Sequence, residues 1–505
     1  MSRCWVIVRI YLPFFLLALA IRLVLASQDI AYLDRLFLPD DTYYTLAITQ
    51  NIFFNQLPST NGEAITSGFQ PLITLCQLPI FHFFDNLDTA VKASIYLSAV
   101  IGSLSTILLG LFLTKTISTS AARFGMFLFA ISPAVLINDL NGLETSLAGF
   151  FCLAVSLLFY LVVSKPSTLH ACLLGIACSL ALVSRIDTAL LILLIGFGLL
   201  ALAGIRWTSV VVLTALVTIL PWWIYLYLEF GSIVPESGKA VRQILEVTPH
   251  KNLAPVFALY KLTDVFAIQS LGMSAGLVQR LVILVFILYC LFTIRRAKLP
   301  AALAIVLASA IPLVLFYTFY LTAYWFFERY FYWVYVLLIM LFAVVLTHIA
   351  SKHIKFAIIG FCVVAAGANI HLFFSKPEQM PALNFFGPKG YRDPALAVLA
   401  KTPDQSHIAA MQSGALNYYS GDTVRVTNLD GVVNRDAYLA TKNGTMYQYL
   451  VEIEVTHFAD WHLNRNLLFK ETQQKINADC SDQLHHVKHG KIDTSLYDIK
   501  VCLND

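Results

Sequence analysis

Long apolar stretches alternate with short polar segments along most of this chain. Stretches of roughly 17 to 25 apolar residues can cross a hydrocarbon core of about 30 Å as helices. About eleven such stretches occur, and we predict a membrane-spanning helix in each of them: 6–26, 91–114, 120–137, 143–163, 168–184, 187–204, 208–228, 278–294, 300–321, 329–349 and 354–373. The pattern predicts a polytopic α-helical membrane protein.

Two apolar stretches allow a second interpretation. The run at 71–84 is short and begins with proline, which favours an interfacial or re-entrant helix in the first loop over another crossing. The first span follows Arg3 and Arg9 and ends in small residues, as a cleaved signal peptide would. Its length exceeds the apolar core of most signal peptides, so we predict a retained helix.

The pattern changes near Ser375, where charged residues are interleaved with short runs of β-forming residues. The runs at 423–427 and 451–455 are predicted strands. We expect residues 1–374 to form the membrane domain and residues 375–505 a small extracytoplasmic α/β domain. The second domain carries no catalytic motif, so we expect it to act as a lid or docking platform.

The charges of the loops sort by side of the membrane. One set of loops carries lysine and arginine without Asp or Glu, which is typical of the cytoplasmic side. The acids lie in the other set, so the predicted extracytoplasmic segments are 27–90, 138–144, 184–187, 229–277 and the C-terminal domain. We therefore expect a multi-pass protein of the inner (plasma) membrane with its polar residues on the outer face.

Composition agrees with this assignment, since 58% of the 505 residues are hydrophobic and 13% are charged. The net charge of +4 comes without a basic tail, which argues against a nucleic-acid partner. No P-loop, G-x-G-x-x-G or G-x-S-x-G motif occurs. The absence of a nucleotide site favours a donor that arrives within the bilayer, such as a lipid-linked phosphate.

Cysteine and histidine add little to this picture. Cys480 and Cys502 share the C-terminal domain, where an oxidising compartment would permit a disulfide, and the sequence leaves their pairing open. His485, His486 and His489 lack companion ligands at zinc-type spacing, so we predict no metal site there. The sequence indicates no cofactor and leaves a divalent cation open.

Asp40 and Asp41 stand side by side directly after the first span. Carboxylates at the point where a membrane protein leaves the bilayer are more often functional than structural. Transfer from a lipid-phosphate donor needs a carboxylate to take the acceptor proton and cations to hold the departing phosphate. The structural alternative is that one of the two acids caps the following helix.

Several segments together resemble GT-C glycosyltransferases, in particular the mycobacterial arabinofuranosyltransferases and related bacterial membrane proteins. The matching segments are 40–52, 66–72, 141–145, 184–187, 235–239, 328–330 and 428–434. The resemblance implies a GT-C fold with about eleven spans, interfacial helices in the first outer loop and an outer C-terminal domain. It also implies transfer of a sugar from a polyprenyl-phosphate carrier to a glycan, lipid or protein hydroxyl, with inversion.

The resemblance makes Asp40 the general base, while its position at a helix start makes Asp41 the cap. Asp139 and Glu144 form a second acidic turn, which would orient the acceptor, hold a metal or cap the next helix. The predicted catalytic residues are Asp40, Asp41 and Glu144. The predicted substrate-binding residues are Asp139, Asp187, Gln70 and Tyr44, with the cations Lys239, Arg185, Arg242 and Arg329 for the phosphate.

One motif departs from the family pattern, and one other function class stays open. Related sequences carry Asn-Gly-Phe-His-Pro where this chain has Ser-Gly-Phe-Gln-Pro at 67–71. Gln70 cannot act as an acid or base, so a hydrogen-bonding role in sugar recognition remains. The alternatives are a lipid-carrier or polysaccharide transporter and a non-catalytic assembly protein. Sparse mid-membrane charge counts against the transporter.

Overall fold

The computed structural model describes residues 3–247, 251–268, 273–296, 299–375, 390–489 and 492–503. Up to residue 375 the chain is helical: α1 (Arg3–Ala26), α2 (Ile30–Leu36), α3 (Asp40–Asn55), α4 (Pro71–Phe83), α5 (Leu87–Thr116), α6 (Thr119–Ile131), α7 (Pro133–Asp139), α8 (Thr145–Ser164), α9 (Thr168–Ser184), α10 (Ala189–Leu202), α11 (Ile205–Phe230), α12 (Ser237–Val247), α13 (Ala254–Leu262), α14 (Met273–Arg296), α15 (Ala301–Ala308), α16 (Ala310–Leu315), α17 (Phe327–Tyr330), α18 (Tyr332–His348) and α19 (Lys352–Ser375). Helices and strands alternate in the remainder: α20 (Arg392–Leu399), β1 (His407–Ala410), α21 (Gly414–Tyr419), β2 (Arg425–Asn428), α22 (Arg435–Asn443), α23 (Met446–Glu452), β3 (His457–Trp461), α24 (His462–Glu471), β4 (Asp482–His489), β5 (Ile492–Asp498) and α25 (Lys500–Leu503). Short 3₁₀ or π turns lie at Ile186–Thr188, Lys251–Leu253, Thr263–Val265, Phe316–Tyr320 and Tyr324–Phe326.

The helices confirm a polytopic membrane protein. Within the described ranges, seven helices are long and apolar enough to cross a membrane, or up to nine if each of two bent pairs is one span. One bend, of 63°, separates α6 from α7 at Pro133, because the residue before a proline is driven out of helical geometry. Helices α4 and α9 and the stretch Ile186–Leu202 are apolar but shorter. The number of eleven spans stays a prediction.

The first of two compact units comprises Met1–Gln28, Ile95–Trp223 and His250–Pro381. A fully buried ion pair joins its helices: Arg22 of α1 donates from Nη2 and Nε to Oδ2 of Asp139, at 2.6 and 2.9 Å. The Tyr332 hydroxyl of α18 donates to the other carboxylate oxygen at 2.6 Å. On α5, a Cβ at Gly102 would collide with the Asp139 carboxyl, so a glycine is needed for this approach. Asp139 therefore ties several spans together.

The second unit comprises Asp29–Ser94, Ile224–Pro249 and Ala382–Asp505. Among its described residues a five-stranded sheet has the order β2-β1-β3-β5-β4. Strands β2, β1 and β3 run parallel, whereas β5 and β4 are antiparallel additions. The expected small α/β fold is confirmed, and Cys480 is bonded to Cys502. The domain boundary at residue 375 stays a prediction.

Of the two predicted strands, one is largely present and the other is a helix followed by a turn. Strand β2 covers most of the run predicted at 423–427. The strand predicted at 451–455 is wrong, because α23 extends to Glu452 and a turn follows it. Met446 and Leu450, four residues apart, are both buried in the core of the unit. This helical spacing of the large apolar side chains prevails over the local alternation of valine and glutamate.

We expect Asp139→Ala to lower thermal stability sharply, because it leaves the Arg22 guanidinium buried without its carboxylate. Breaking a buried ion pair by removing one partner typically costs about 3–5 kcal/mol, whereas replacing both partners by apolar residues is often nearly neutral. The double variant Arg22→Met/Asp139→Leu should therefore melt closer to wild type than Asp139→Ala does. The measurement is the melting temperature of the purified protein in detergent. A wild-type melting temperature for Asp139→Ala would contradict the expectation.

Candidate functional site

Asp40 is the first residue of α3, and both of its carboxylate oxygens accept backbone hydrogen bonds. The N–H groups of Gly414 and Ala415 donate to Oδ2 and Oδ1 at 2.8 and 2.9 Å. These amides begin α21 and would otherwise lack helical partners, so Asp40 caps that helix. The residue is only 5% exposed. Burial raises the pKa of Asp40 to about 7, although the two hydrogen bonds act to lower it.

Asp41, the next residue of α3, is half-buried. It lies near Asp430, which follows β2 in the motif 428–434. Burial is the main cause that raises the pKa of Asp430 to about 7, and the negative charge of Asp41 adds to it. The Val432 N–H donates to Asp430 Oδ1 at 2.8 Å. Asp40, Asp41 and Asp430 therefore lie within electrostatic range of one another, and Asp40 in addition accepts two backbone amides.

Tyr44, predicted to bind substrate, is buried in a hydrogen-bond network of the second unit. Its hydroxyl donates to the Met411 carbonyl oxygen at 3.0 Å and accepts from the Ser413 N–H at 3.0 Å. The Asn428 side-chain amide donates to the same hydroxyl at 2.9 Å. Tyr44 thus joins α3 to the turn after β1 and to the end of β2. Its predicted contact with substrate stays a prediction.

The first-loop motif 66–70 meets two other motifs of the sequence analysis. The Glu236 N–H donates to Ser67 Oγ at 3.1 Å. Gly68 lies against the backbone of Val432 and Val433 so closely that a Cβ at this position would overlap the Val432 carbonyl. Gln70 is half-buried at the start of α4. Segments 40–44, 66–70, 235–239 and 428–434, which lie far apart in the chain, thus belong to one connected group within the second unit.

Lys239 and Arg242 lie on α12 in the same unit, and both are exposed. They are three residues apart and therefore share one face of the helix. Ala240, Val241 and Leu245 are buried on the other side. The helix is amphipathic and presents its two predicted phosphate-binding cations outward.

Glu144, Arg185 and Asp187 form an ionic network in the first unit. Arg185 Nη1 lies 2.6 Å from Glu144 Oε1, and Nη2 lies 3.0 Å from Asp187 Oδ2. The Tyr317 hydroxyl also donates to Asp187. Glu144 makes no side-chain capping bond to α8, so the capping alternative for this residue is not observed. Two carboxylates balance the charge of Arg185.

A small cavity borders this network within the first unit. Its lining is largely apolar and aromatic and includes Leu191, Tyr330 and Trp333 along with Arg185, Asp187 and Arg329. The guanidinium of Arg329 lies over the rings of Phe326 and Tyr330, 4.9 and 5.7 Å from the ring centroids. Arg185 and Arg329 therefore border the same cavity, and both guanidinium groups lie over the ring of Tyr330.

Several cations of the first unit that lie inside or beside apolar stretches were not predicted as paired residues. Lys261 pairs with Asp264 and with Glu328, each at 3.1 Å, and Arg280 pairs with Asp264 at 2.6 Å. The partner of Asp139, Arg22, also lies in a predicted span. An ionisable residue in an apolar span is expensive unless it is paired. Each such cation was therefore a signal that an acid elsewhere in the sequence must meet it.

Among the residues that the structure describes, no three or more His, Cys, Asp or Glu side chains are grouped so as to hold a metal ion.

No protein-family model and no curated protein sequence matches this chain. Solved structures do share its fold. ArnT from Cupriavidus metallidurans bound to undecaprenyl phosphate superposes with a TM-score of 0.58 and 12% identity over 95% of this chain and 97% of that one. The Archaeoglobus fulgidus oligosaccharyltransferase in complex with Zn and sulfate superposes with a TM-score of 0.54 and 14% identity over 92% of this chain and 69% of that one. AglB from the same archaeon, in complex with an inhibitory peptide and a dolichol-phosphate, superposes with a TM-score of 0.51 and 12% identity over 90% of this chain and 70% of that one. These similarities confirm the GT-C fold.

We expect Gly68→Ala to separate the first loop from the motif 428–434, because the new methyl group would overlap backbone atoms that cannot rotate away. The matched control is Gly238→Ala on α12 in the same unit, where a Cβ meets open space. Hydrogen exchange read by mass spectrometry should show faster exchange at 428–434 in Gly68→Ala alone. Equal exchange in both variants would contradict the close approach.

Proposed function

We propose that this chain is an integral-membrane glycosyltransferase that moves a sugar from a polyprenyl-phosphate donor to an acceptor hydroxyl on the extracytoplasmic side of the inner (plasma) membrane. The observation that carries the proposal is the grouping of segments 40–44, 66–70, 235–239 and 428–434 around an acidic pair. The ligands of the fold relatives support the donor class, since the ArnT structure holds undecaprenyl phosphate and an AglB structure holds a dolichol-phosphate.

The proposed task of the acidic pair is to activate the acceptor. A carboxylate of the pair Asp40 and Asp41 takes the proton of the acceptor hydroxyl, and the hydroxyl oxygen attacks the anomeric carbon of the sugar. The bond between that carbon and the phosphate oxygen breaks, and the lipid phosphate leaves with the electron pair. Attack opposite the leaving group inverts the anomeric centre. A positioned base of this kind is typically worth about 10²–10⁴ in rate.

Arg329 is the proposed main ligand of the lipid phosphate. A guanidinium beside an apolar cavity suits a group that joins a phosphate to an isoprenoid chain. Arg185 is balanced by Glu144 and Asp187, and we assign it the task of orienting them. Asp139 is left out of this assignment because Arg22 and Tyr332 engage both of its oxygens.

We assign roles in substrate attraction and binding to the polar residues that remain in the second unit. Lys239 and Arg242, exposed on α12, would attract an anionic donor over a distance, an effect that added salt weakens. Gln70 would hydrogen-bond a sugar hydroxyl. Contacts between the pocket and the substrates determine which sugar and which acceptor the protein uses.

Loss of the chain in its native host should remove one surface glycan modification and cause a lipid-linked sugar to accumulate, because the donor is made but not consumed. Mass spectrometry of surface glycans and of extracted lipids measures both effects. Complementation with wild type or with Asp85→Asn, an exposed acid of the same loop, should restore the glycan. Complementation with the double variant Asp40→Asn/Asp41→Asn should not restore it. Unchanged glycans and lipids in the deletion strain would refute the proposed function.

Arg329→Gln should raise KM for the lipid-linked donor about 10- to 100-fold, since hydrogen bonds to charged groups are worth about 1.5–3 kcal/mol. The matched control is Arg206→Gln, because Arg206 also lies over an aromatic ring, that of Trp207, at 4.9 Å. Arg206 lies in the first turn of α11, next to a loop that is predicted to be cytoplasmic. The measurement is the initial rate of sugar transfer in proteoliposomes against donor concentration. Equal KM values for the two variants would remove Arg329 from the donor site.

A further inference from the structure

The parallel part of the sheet contains a point where the chain reverses its direction along the sheet. Strand β1 lies between β2 and β3, and both neighbours run parallel to it. From β1 the chain passes to β2 through α21 and then returns past β1 to β3 through α22 and α23. Right-handed crossovers in opposite directions place their helices on opposite faces, which leaves a crevice at the carboxyl ends of β1 and β3. Open α/β sheets typically bind their ligands in such a crevice.

A small cavity lies at this position within the second unit. Gln412, which follows β1, borders it together with Asp460 and Trp461, the last two residues of β3. Asp40 of α3 and Tyr391, which precedes α20, also border it. The topology of the backbone and the shape of the surface therefore point to the same place.

Asp460 fixes the residues that form one wall of the cavity. Its Oδ2 accepts the backbone N–H groups of Met411 and Gln412, at 2.6 and 3.0 Å. Its Oδ1 accepts the backbone N–H of Trp461 and the side-chain amide of Asn464, each at 2.7 Å. The residue is 2% exposed. The four hydrogen bonds join the ends of β1 and β3 and hold Gln412 and Trp461 beside the cavity before any ligand binds.

The backbone amides beyond β1 are already occupied by Asp40. Amides at the start of a helix are the usual anion-binding groups of a switch-point crevice. Here the N–H groups of Gly414 and Ala415 donate to the Asp40 carboxylate. None of the described residues that border the cavity is lysine, arginine or histidine. An anionic ligand would therefore meet two carboxylates without a compensating cation.

The groups that face a ligand are aromatic rings and a neutral amide. Trp461 and Tyr391 are half-buried, and their ring centroids lie 6.5 Å apart. No residue in the described part of the chain hydrogen-bonds the side-chain amide of Gln412. An amide both donates and accepts hydrogen bonds, as sugar hydroxyl groups do. Aromatic rings present a rigid apolar face on which the C–H groups of a sugar ring can pack.

We propose that this cavity is a carbohydrate-binding subsite, which holds one edge of a sugar unit of the acceptor against Trp461 and Tyr391 and binds a sugar hydroxyl through Gln412. The inference rests on the proposed function and assigns the acceptor to the glycans. The donor carries a phosphate, which this lining does not suit, so the sugar bound here belongs to the acceptor. Asp40 borders the same cavity, and an acceptor held there lies beside the acidic pair.

The test measures ligand binding to the full-length protein in detergent by hydrogen exchange at residues 411–415 and 459–461. Three probes are titrated: glycans released from the surface of cells that lack the chain, inorganic phosphate, and lipid-linked sugars extracted from the same cells. The variants are Trp461→Ala, Trp461→Phe and Gln412→Ala. The matched control is Gln448→Ala, which changes an exposed glutamine on α23.

The released glycans should slow exchange at both segments in wild type and in Gln448→Ala, whereas phosphate and lipid-linked sugars should not. Trp461→Ala should weaken glycan binding about 10- to 100-fold, because truncation of an aromatic anchor is costly. Trp461→Phe should restore most of the binding because it keeps an aromatic face. Gln412→Ala should weaken binding about 2- to 10-fold through the loss of one neutral hydrogen bond.

Two further measurements separate binding from folding. Gln412→Ala removes a side chain without a described hydrogen-bond partner, so its melting temperature should equal that of wild type. In proteoliposomes, Gln412→Ala and Trp461→Ala should raise KM for the released glycan by the factors given for binding. Both variants should leave KM for the lipid-linked donor unchanged, which a general loss of structure would not do.

Three results would overturn the inference. Exchange at the two segments could be unaffected by the glycans, or it could be slowed equally in wild type, Trp461→Ala and Gln412→Ala. Phosphate or lipid-linked sugars could slow it as strongly as the glycans, which would make the cavity an anion or donor site. The deletion strain tests the proposed function separately: unchanged surface glycans there refute the function, whereas a lost modification without glycan binding at the cavity refutes this inference alone.

Discussion

The second unit depends on hydrogen bonds between the carboxylates of the first loop and the backbone amides that begin α20 and α21. A helix leaves its first N–H groups without partners, and a carboxylate satisfies them while interacting favourably with the positive end of the helix. Asp34 and Asp40 each accept two such amides across more than 350 residues of sequence. Removal of either acid would leave buried amides unpaired, and each unpaired amide is costly. The position of α3 follows from this constraint.

In the first unit, charged side chains near apolar helices are stabilised by ion pairs. Arg22 with Asp139, Arg280 with Asp264 and Lys261 with Glu328 all lie within or next to apolar helices. An unpaired charge there would be expensive, so each pair restricts the helices that carry it to arrangements in which the partners meet. One such pair lies inside the helix bundle at Asp139, whose role in substrate binding stays a prediction.

Apolar length and composition were sufficient to predict the class of fold, because a hydrocarbon core sets the minimum length of a span without reference to the rest of the chain. The partner of each polar residue was not predictable in the same way. Whether Asp40 or Asp41 meets α21 depends on a one-residue difference in helical direction and on Gly414 far along the chain. The partner of Asp139 lies in α1, and Tyr44 bonds to turns of the C-terminal part. These contacts require the tertiary structure, although the unexplained Arg22 in an apolar span was a readable signal.

A pKa near 7 does not by itself identify the base. Such a value suits proton transfer near neutral pH, and burial gives it to Asp40. Burial also raises the pKa of Asp34 to about 7, and Asp34 caps α20. The shared value therefore follows from the burial of a carboxylate that caps a helix, since desolvation destabilises the charged form even where amides bind it. The oxygens of Asp34 and Asp40 both point at backbone amides that begin a helix, so the same arrangement of burial and capping produces the same pKa at two places in this loop.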